Sequence, residues 1–211
     1  MKPVADLRRP LFARAFARAA PRMEGLGVGA HRRELLDGVG GRVLEVGAGT
    51  GANFAHYPPT VTEVVAVEPE PYLRARASEA ATGAPVRVTV VAALAEALPF
   101  AEAAFDAAVA SLVLCTVGDP DRALAELHRV LRPGGELRFY EHVRGAGGLA
   151  RAQRALDVAW PLVAGGCHLA RDTPAAIERA GFALERCRRF AFRPSFLAWP
   201  AEPHVIGVAR R

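Results

Sequence analysis

Hydrophobic residues recur with two different spacings along this chain. Runs rich in apolar β-branched residues predict strands, and alanine-rich stretches with an apolar residue every three or four positions lie between them. Strands separated by helices of this length form a parallel sheet with helices on both faces. The candidate strands are RVLEVG (42–47), EVVAVE (63–68), VRVTVVA (86–92), FDAAVASLVL (105–114) and ELRFYEHV (136–143).

The best-marked helix precedes the last of these strands. Asp119 can cap its first turn, Pro120 suits the first helical position, and Pro133 with two glycines ends it. Two further runs, FALERCRRFAF and HVIGVARR, have no full helix between them and should pair antiparallel at one edge. The pattern predicts an α/β fold with a mostly parallel, seven-stranded sheet, an antiparallel edge strand and helices on both faces.

The N-terminal segment predicts an amphipathic helix that ends at Pro21. Phe12 and Phe16 lie on its apolar face, whereas Arg14 and Arg18 recur on another face. Such a helix can contact an anionic membrane surface or cover a binding site, and we favour a lid because two aromatic side chains bury little in lipid. We expect one domain: an N-terminal helical lid (1–40), a cofactor-binding core (41–143) and acceptor-side helices with the last two strands (144–211).

Composition narrows the range of partners. The 27 basic and 22 acidic residues are mixed along the chain, with no basic cluster that is interleaved with aromatic residues, so we expect no nucleic-acid partner. The cysteines, Cys115, Cys167 and Cys187, are far apart and form no CxxC pair. This argues against a disulfide scaffold or a zinc site and for a reducing, cytoplasmic location. Oligomeric state is left open.

The stretch LEVGAGTGANF (44–54) carries the clearest chemistry. A strand runs into three glycines at alternate positions, and we expect a helix to start near Ala52, so that backbone N–H groups and the positive helix end meet a polar ligand. Glu68 closes the next strand, where a carboxylate can accept from both hydroxyls of a ribose. The expected ligand is a nucleoside-bearing cofactor.

Glu45 helps to choose between two such cofactors. Gly47, Gly49 and Ala52 also satisfy the dinucleotide fingerprint G-x-G-x-x-G/A. Because side chains alternate along a strand, Glu45 and Gly47 share a face, and the carboxylate can reach an ammonium at the loop. A pyrophosphate there would be repelled. S-adenosylmethionine, which carries an amino acid, fits better than a nicotinamide dinucleotide.

Several segments together resemble the class I S-adenosylmethionine-dependent methyltransferases of the methyltransferase type 11 superfamily. LEVGAGTGANF, SLVLCTV, VLRPGGELRFYEHV and LDVAWPLVAGGCHLARDT look most like the alkyl-thiol S-methyltransferase group and its small bacterial relatives. The resemblance runs from about residue 22 to the C-terminus. It implies the Rossmann-like class I fold and methyl transfer to a small molecule.

The resemblance also implies roles for single residues around the cofactor. Glycines 47, 49 and 51 would line its methionine part together with Asn53, Glu45 would face its amino group, and Glu68 would hold the ribose. The adenine would lie by Pro69, Leu94 and Ala95. Leu94 stands where many relatives have an aspartate, whose contact would fall to backbone groups or to Glu96. The methyl group would lie near Ser111. The full cofactor set is Glu45, Gly47, Gly49, Gly51, Asn53, Glu68, Pro69, Leu94, Ala95 and Ser111.

Polar residues after the fifth strand are the candidates for catalysis. Glu141 and His142 follow one another, so only one of them should face the acceptor, and His168 forms a second polar group with Arg171. A thiol is the preferred acceptor, and a quinone, a lipid head group or a biosynthetic intermediate methylated at O or N is the alternative. A non-catalytic S-adenosylmethionine-binding module and a nucleotide-linked oxidoreductase are alternatives of other classes.

Overall fold

A computed structural model of the protein describes residues 7–194 and 196–211. The first six residues of the predicted lid lie outside the described residues. The strands are β1 (Gly41–Val46), β2 (Val61–Val67), β3 (Val88–Val91), β4 (Phe105–Ser111), β5 (Leu131–His142), β6 (Ala183–Ala191) and β7 (Pro203–Arg210). The helices are α1 (Pro10–Met23), α2 (Gly29–Leu36), α3 (Pro71–Ala81), α4 (Pro120–Val130), α5 (Gly147–Leu156), α6 (Trp160–Val163) and α7 (Thr173–Arg179). None of these helices combines the length and apolar character needed to cross a membrane.

All seven strands belong to one sheet in the order β3-β2-β1-β4-β5-β7-β6. The pairs among β1 to β5 are parallel, whereas β7 pairs antiparallel with both β5 and β6. The predicted fold class is confirmed, including the antiparallel pairing of the last two runs. The chain reverses its direction across the sheet between β1 and β4, which is the point where open α/β sheets bind ligands.

Both faces of the sheet are buried, which explains the nearly continuous apolar runs. Leu44, Val67 and Phe139 belong to the core on one face, which also contains residues of α4 and α7. Val43, Val64 and Tyr140 belong to the core on the other face, together with residues of α2 and α3. The predicted cap of α4 is present, because the Asp119 side chain accepts a hydrogen bond from the backbone N–H of Arg122.

The prediction that the N-terminal helix ends at Pro21 is wrong. Helix α1 continues through Pro21 to Met23, and a π-helical turn (Glu24–Val28) connects it to α2. Proline lacks only its own N–H, and the next turn is held by a bond from the N–H of Glu24 to the carbonyl of Ala20. Gly27, with φ 118°, allows the kink before α2.

The prediction of a helix near Ala52 is also wrong. Turns follow the glycines, and among the residues between β1 and β2, all of which the structure describes, the only helical segment is the 3₁₀ turn Phe54–His56. Pro58 and Pro59 come after Tyr57, and proline disfavours helical geometry in the residue before it. No helix N-terminus therefore points at a ligand here. The N–H groups of the loop also donate within the protein: those of Gly47 and Ala48 to the carbonyl of Val67, and that of Gly49 to Glu68.

Candidate active site

The described residues enclose a cavity of about 450 Å³ at the carboxyl ends of the central strands. Its floor includes Gly47 and Gly49 after β1, Glu68 after β2 and Leu112 after β4, and residues of α1 form its roof. Of the predicted site residues, the cavity lining includes Gly47, Gly49, Glu68, Pro69, Leu94, Ala95 and His142. It does not include Glu45, Gly51, Asn53, Ser111, Glu141 or His168.

Position 47 of the glycine loop requires glycine for two reasons. Its φ of 65° lies in the left-handed region, which costs other residues about 1–2 kcal/mol. A β-carbon there would also lie 2.9 Å from Cβ of Val113 and closer still to its Cγ2. Val113 follows β4, so the loops after β1 and β4 touch each other and share the cavity floor.

Glu68 anchors the end of β2 beneath the cavity. Its carboxylate accepts hydrogen bonds from the backbone N–H groups of Gly49 (2.8 Å) and Glu70 (2.9 Å). Each oxygen keeps a second acceptor site, and the side chain lines the cavity although only 5% of the residue is exposed. Burial raises the pKa of Glu68 to about 7. The residue is therefore placed to accept from hydroxyl groups of a ligand.

Glu45 does not have the predicted direct access to a ligand. Its two oxygens accept from the Asn53 amide (2.9 Å) and the Tyr57 hydroxyl (2.7 Å), and the residue is buried below the loop. Arg32 of α2 donates to Asn53 (2.7 Å) and to Ser111 (3.3 Å). The alternation argument gave the right face, but Glu45 does not line the cavity, and its bonds to Asn53 and Tyr57 brace the loop from beneath.

Sequence reasoning missed Arg32 and Tyr57. Neither lies in a recognisable motif, and Arg32 lies 79 positions from its partner Ser111. Only the packing of α2 against the sheet brings these groups together.

The predicted adenine edge lies beside Glu68. Leu94 and Ala95 line the cavity through the segment that follows β3, next to Pro69. Glu96 lines it too, but one of its oxygens accepts from the backbone N–H of Gly118 (2.9 Å). Replacement of an aspartate's adenine contact at position 94 by backbone groups or by Glu96 stays a prediction.

Another part of the cavity lining, called the acceptor end after the predicted role of His142, contains two thiols and an imidazole. Nδ1 of His142 lies 3.6 Å from Sγ of Cys115 and 3.6 Å from Sγ of Cys167. The expectation that the cysteines are too far apart to form a metal-ligating group is wrong: Cys115, His142 and Cys167 form a group whose ligand atoms all lie within 4.8 Å of one another. Sequence spacing gave no signal, because these residues come from three separate elements.

Glu141 is not positioned for the predicted catalytic role. Its buried carboxylate accepts from the backbone N–H groups of Val113 (3.0 Å), Leu114 (2.9 Å) and Cys115 (3.1 Å). These bonds use both oxygens and fix the loop that follows β4. Of the two neighbours on β5, His142 is therefore the one that faces the cavity.

His168 also lies away from the cavity lining. Its Nδ1 is 3.0 Å from Asp157, and its side chain is 37% exposed. Arg171 instead donates to the backbone carbonyls of Leu114 and Val117 (2.5 and 2.8 Å), on the other side of the loop that Glu141 holds. Neither residue lines the cavity, and both contact the loop after β4, since the backbone N–H of His168 donates to the carbonyl of Cys115 (2.7 Å).

Helix α1 covers the cavity, as the lid prediction requires. Phe12 lies against Gly165, where a β-carbon would overlap its ring, and the Phe16 ring lies over Gly49. The two rings stack with 5.9 Å between their centres. Leu11 on the same helix is 82% exposed and faces away.

The two buried carboxylates beneath the loop predict an unusual pH dependence of stability. Burial raises the pKa of Glu45 and of Glu68 to about 7, above the ordinary value of 4.5. The folded chain holds these protons more tightly than the unfolded chain, so this stabilisation is complete below the unfolded pKa and is lost as pH rises through about 7. We expect Tm to fall between about pH 5.5 and about pH 8, and Glu45→Gln to reduce that fall.

Thermal unfolding followed by circular dichroism across this pH range checks the expectation. Glu79→Gln, on the exposed face of α3, is the control and should keep the wild-type pH dependence. A fall in Tm that is equally steep in Glu45→Gln would contradict the assignment.

Comparisons with known proteins agree with this geometry. Residues 44–139 match the family model described as "Methyltransferase domain". The thiol S-methyltransferase TMT1B of Rattus norvegicus is 35% identical over an alignment of 213 residues, which covers 94% of this chain and 84% of that protein. A demethylmenaquinone methyltransferase of Renibacterium salmoninarum is 38% identical over 110 residues, which cover 50% of this chain and 45% of that protein.

A solved structure shows the same fold. The N-methyltransferase NodS of Bradyrhizobium japonicum, in complex with S-adenosyl-L-homocysteine, superimposes with a TM-score of 0.66. The match covers 88% of this chain and 87% of that chain at 19% identity.

Proposed function

Because this chain belongs to the class I S-adenosylmethionine-dependent methyltransferases, we propose that it methylates small, largely apolar thiols. S-adenosylmethionine is the methyl donor, and the acceptor is a small molecule. The thiol S-methyltransferase relatives, matched over 94% of this chain in the rat protein, support sulfur as the acceptor atom.

The cavity fits the cofactor. The bare backbone of Gly47 and Gly49 lines the cavity and can closely approach the methionine part, which would lie beside the Phe16 ring that packs over Gly49. Glu68 would accept from the ribose hydroxyls, and Leu94 and Ala95 would flank the adenine. When bound, the cofactor supplies an electrophilic methyl group on a positively charged sulfur.

The chain itself positions the acceptor and excludes water from the reaction. An acceptor lone pair must lie about 3 Å from the methyl carbon and in line with the breaking bond, and exclusion of water strengthens the electrostatic interactions around it. The loop after β4, fixed by Glu141 and Arg171, forms one wall, and the lid helix closes the cavity from above.

The observation that carries the thiol assignment is the character of the acceptor end. Leu112, Val113, Ala164 and Phe192 supply apolar walls, and His142 lines the same cavity. An imidazole takes a proton more readily from a thiol, with a pKa of about 8.5, than from a phenol, with a pKa of about 10.

A panel assay tests the proposal. Purified protein and S-adenosylmethionine are incubated with aliphatic thiols, aromatic thiols, phenols, demethylated quinones and amines, and release of S-adenosylhomocysteine is followed. We expect turnover with thiols, rising with apolar bulk. Release with quinones or amines alone would overturn the thiol assignment and favour the quinone- or lipid-directed alternative.

Removing an aromatic ring from the lid helix α1 tests its role through the KM for the acceptor. Phe12→Ala removes the ring that lies on Gly165. The variant loses the apolar contact of one aromatic ring, ~1.5 kcal/mol, so KM for apolar thiols should rise by about 10-fold or more. Leu11→Ala, one position away on the exposed face, is the matched control and should leave KM unchanged. Equal KM values in the two variants would show that α1 does not cover the acceptor.

A further inference from the structure

Two thiols and an imidazole meet at the acceptor end of the cavity, with their ligand atoms all within 4.8 Å of one another. Cys115 follows β4, His142 ends β5 and Cys167 follows α6, so three separate elements deliver them to one point. All three line the cavity. Cys187, the remaining cysteine, is exposed on β6.

Their spacing matches a tetrahedral metal. Zn²⁺ binds sulfur at about 2.3 Å and histidine nitrogen at about 2.0–2.1 Å, which at a tetrahedral angle sets sulfur and nitrogen about 3.6 Å apart. Both sulfur-to-nitrogen distances here are 3.6 Å. The two sulfurs also lie within the 4.8 Å that encloses the whole group.

The surroundings hold this arrangement in place. Glu141 accepts from the backbone N–H of Cys115, and Arg171 donates to the carbonyl of the preceding Leu114. The His204 ring packs 4.5 Å from the His142 ring. Neighbours that fix the orientation of ligands are a regular feature of metal sites.

One buried donor near the group has no partner at ordinary hydrogen-bond geometry, although it interacts with the Cys167 thiol. Nε1 of Trp160 is among the buried side-chain atoms in the described residues with no hydrogen-bond partner. Trp160 starts the short helix α6, which leads to Cys167. An indole N–H is a donor only, and a negatively charged metal-bound thiolate would be a suitable acceptor for it.

We propose that Cys115, His142 and Cys167 bind Zn²⁺ and that the acceptor thiol takes the fourth position as a thiolate. The proposal rests on the proposed thiol methylation. Three protein ligands and one open position are the arrangement of catalytic zinc sites, and a Cys₂His set is one of their known forms. Because the ligands line the cavity, the open position faces the space where the acceptor must lie.

The reaction balances without a further reagent. The thiol R–SH binds Zn²⁺ and releases its proton to water. A lone pair of the bound thiolate forms a bond to the methyl carbon, while the bond from that carbon to the sulfonium sulfur breaks and leaves its electron pair on S-adenosylhomocysteine. The product, R–S–CH₃, is a neutral and weaker ligand and leaves the metal.

Metal content tests the site independently of activity. The intact chain, reduced and supplied with zinc, is dialysed and analysed for bound metal, and we expect about one zinc per chain. Cys115→Ser, Cys167→Ser and His142→Ala should lower this to background, whereas Cys187→Ser should keep it. The absence of zinc from the reduced wild-type chain, or an unchanged content in the ligand variants, would overturn the proposal.

Cobalt substitution keeps the test valid if a buried cysteine variant fails to fold. Co²⁺ bound to the unaltered chain should give the intense visible absorption of a tetrahedral site and a near-ultraviolet thiolate-to-cobalt band. An acceptor thiol should change this spectrum, and an alcohol of the same shape should not. A six-coordinate spectrum, or none, would contradict the site, as would a Cys115–Cys167 disulfide that persists under reduction.

The two proposals fail in different ways. Thiol methylation that continues at the same rate in chelator-treated, metal-free protein would refute the zinc site and keep the function. A chain that binds zinc but methylates only quinones or amines would refute the thiol acceptor, and with it the role of the open position.

Discussion

Replacing Gly47 by alanine is expected to weaken S-adenosylmethionine binding by at least about 30-fold and to lower the free energy of unfolding by ~2–5 kcal/mol. Two costs add at this position. The backbone has a φ of 65°, and the new methyl group would overlap Val113 on the loop after β4. The loop can relieve the overlap only by moving away from Val113, which displaces the glycine backbone from the cavity floor and disturbs the bond from the N–H of Gly49 to Glu68.

Isothermal titration with S-adenosylmethionine and chemical denaturation measure the two effects. Gly148→Ala is the matched control, because its β-carbon would come no closer than 3.9 Å to a flexible arginine side chain at the start of α5. This control should change stability by no more than about 0.5 kcal/mol. Wild-type affinity in Gly47→Ala would show that the glycine loop does not hold the cofactor.

Replacing Glu68 by alanine is expected to weaken S-adenosylmethionine binding by about 10- to 150-fold, corresponding to ~1.5–3 kcal/mol. The variant loses the charged acceptor for the ribose hydroxyls, and the N–H groups of Gly49 and Glu70 lose their partner. The fold should persist at neutral pH, because the ionised carboxylate is itself unfavourable in this buried position.

Titration of the variant alongside Glu79→Ala checks this prediction. Glu79 lies on the exposed face of α3 with its side chain 67% exposed, so its removal should not alter the affinity. If Glu68→Ala and Glu79→Ala bind equally well, the ribose assignment is wrong. A loss of affinity for adenosine as large as that for the whole cofactor would support it, since both ligands contain the ribose.

The fold could be predicted from local patterns because each pattern has a local physical cause. Apolar runs such as 105–114 need burial on both faces, and a run of this kind flanked by helices leaves a covered parallel sheet as the stable solution. The two predictions about the fold that are wrong concern where helices begin and end. Pro21 interrupts one hydrogen bond without ending α1, and the prolines after Phe54–His56 leave no room for a helix.

One part of the candidate site was likewise predictable from the sequence, and another part was not. The cofactor end was predictable, because the glycine loop and Glu68 each terminate a strand, and parallel strands present their carboxyl ends at one edge. The role of Glu141 was not, since one residue of register decides whether a side chain on β5 faces the cavity or supports the loop beside it.

Local sequence patterns are enough to predict the α/β class, the strand runs, the cofactor loop and the similarity to methyltransferases, all of which depend on residues close together in the chain. The bracing of the loop by Arg32 and Tyr57 and the meeting of Cys115, His142 and Cys167 became visible in the three-dimensional structure. Contacts between residues far apart in the chain arise from how helices and loops pack on the sheet, and no local spacing encodes that packing.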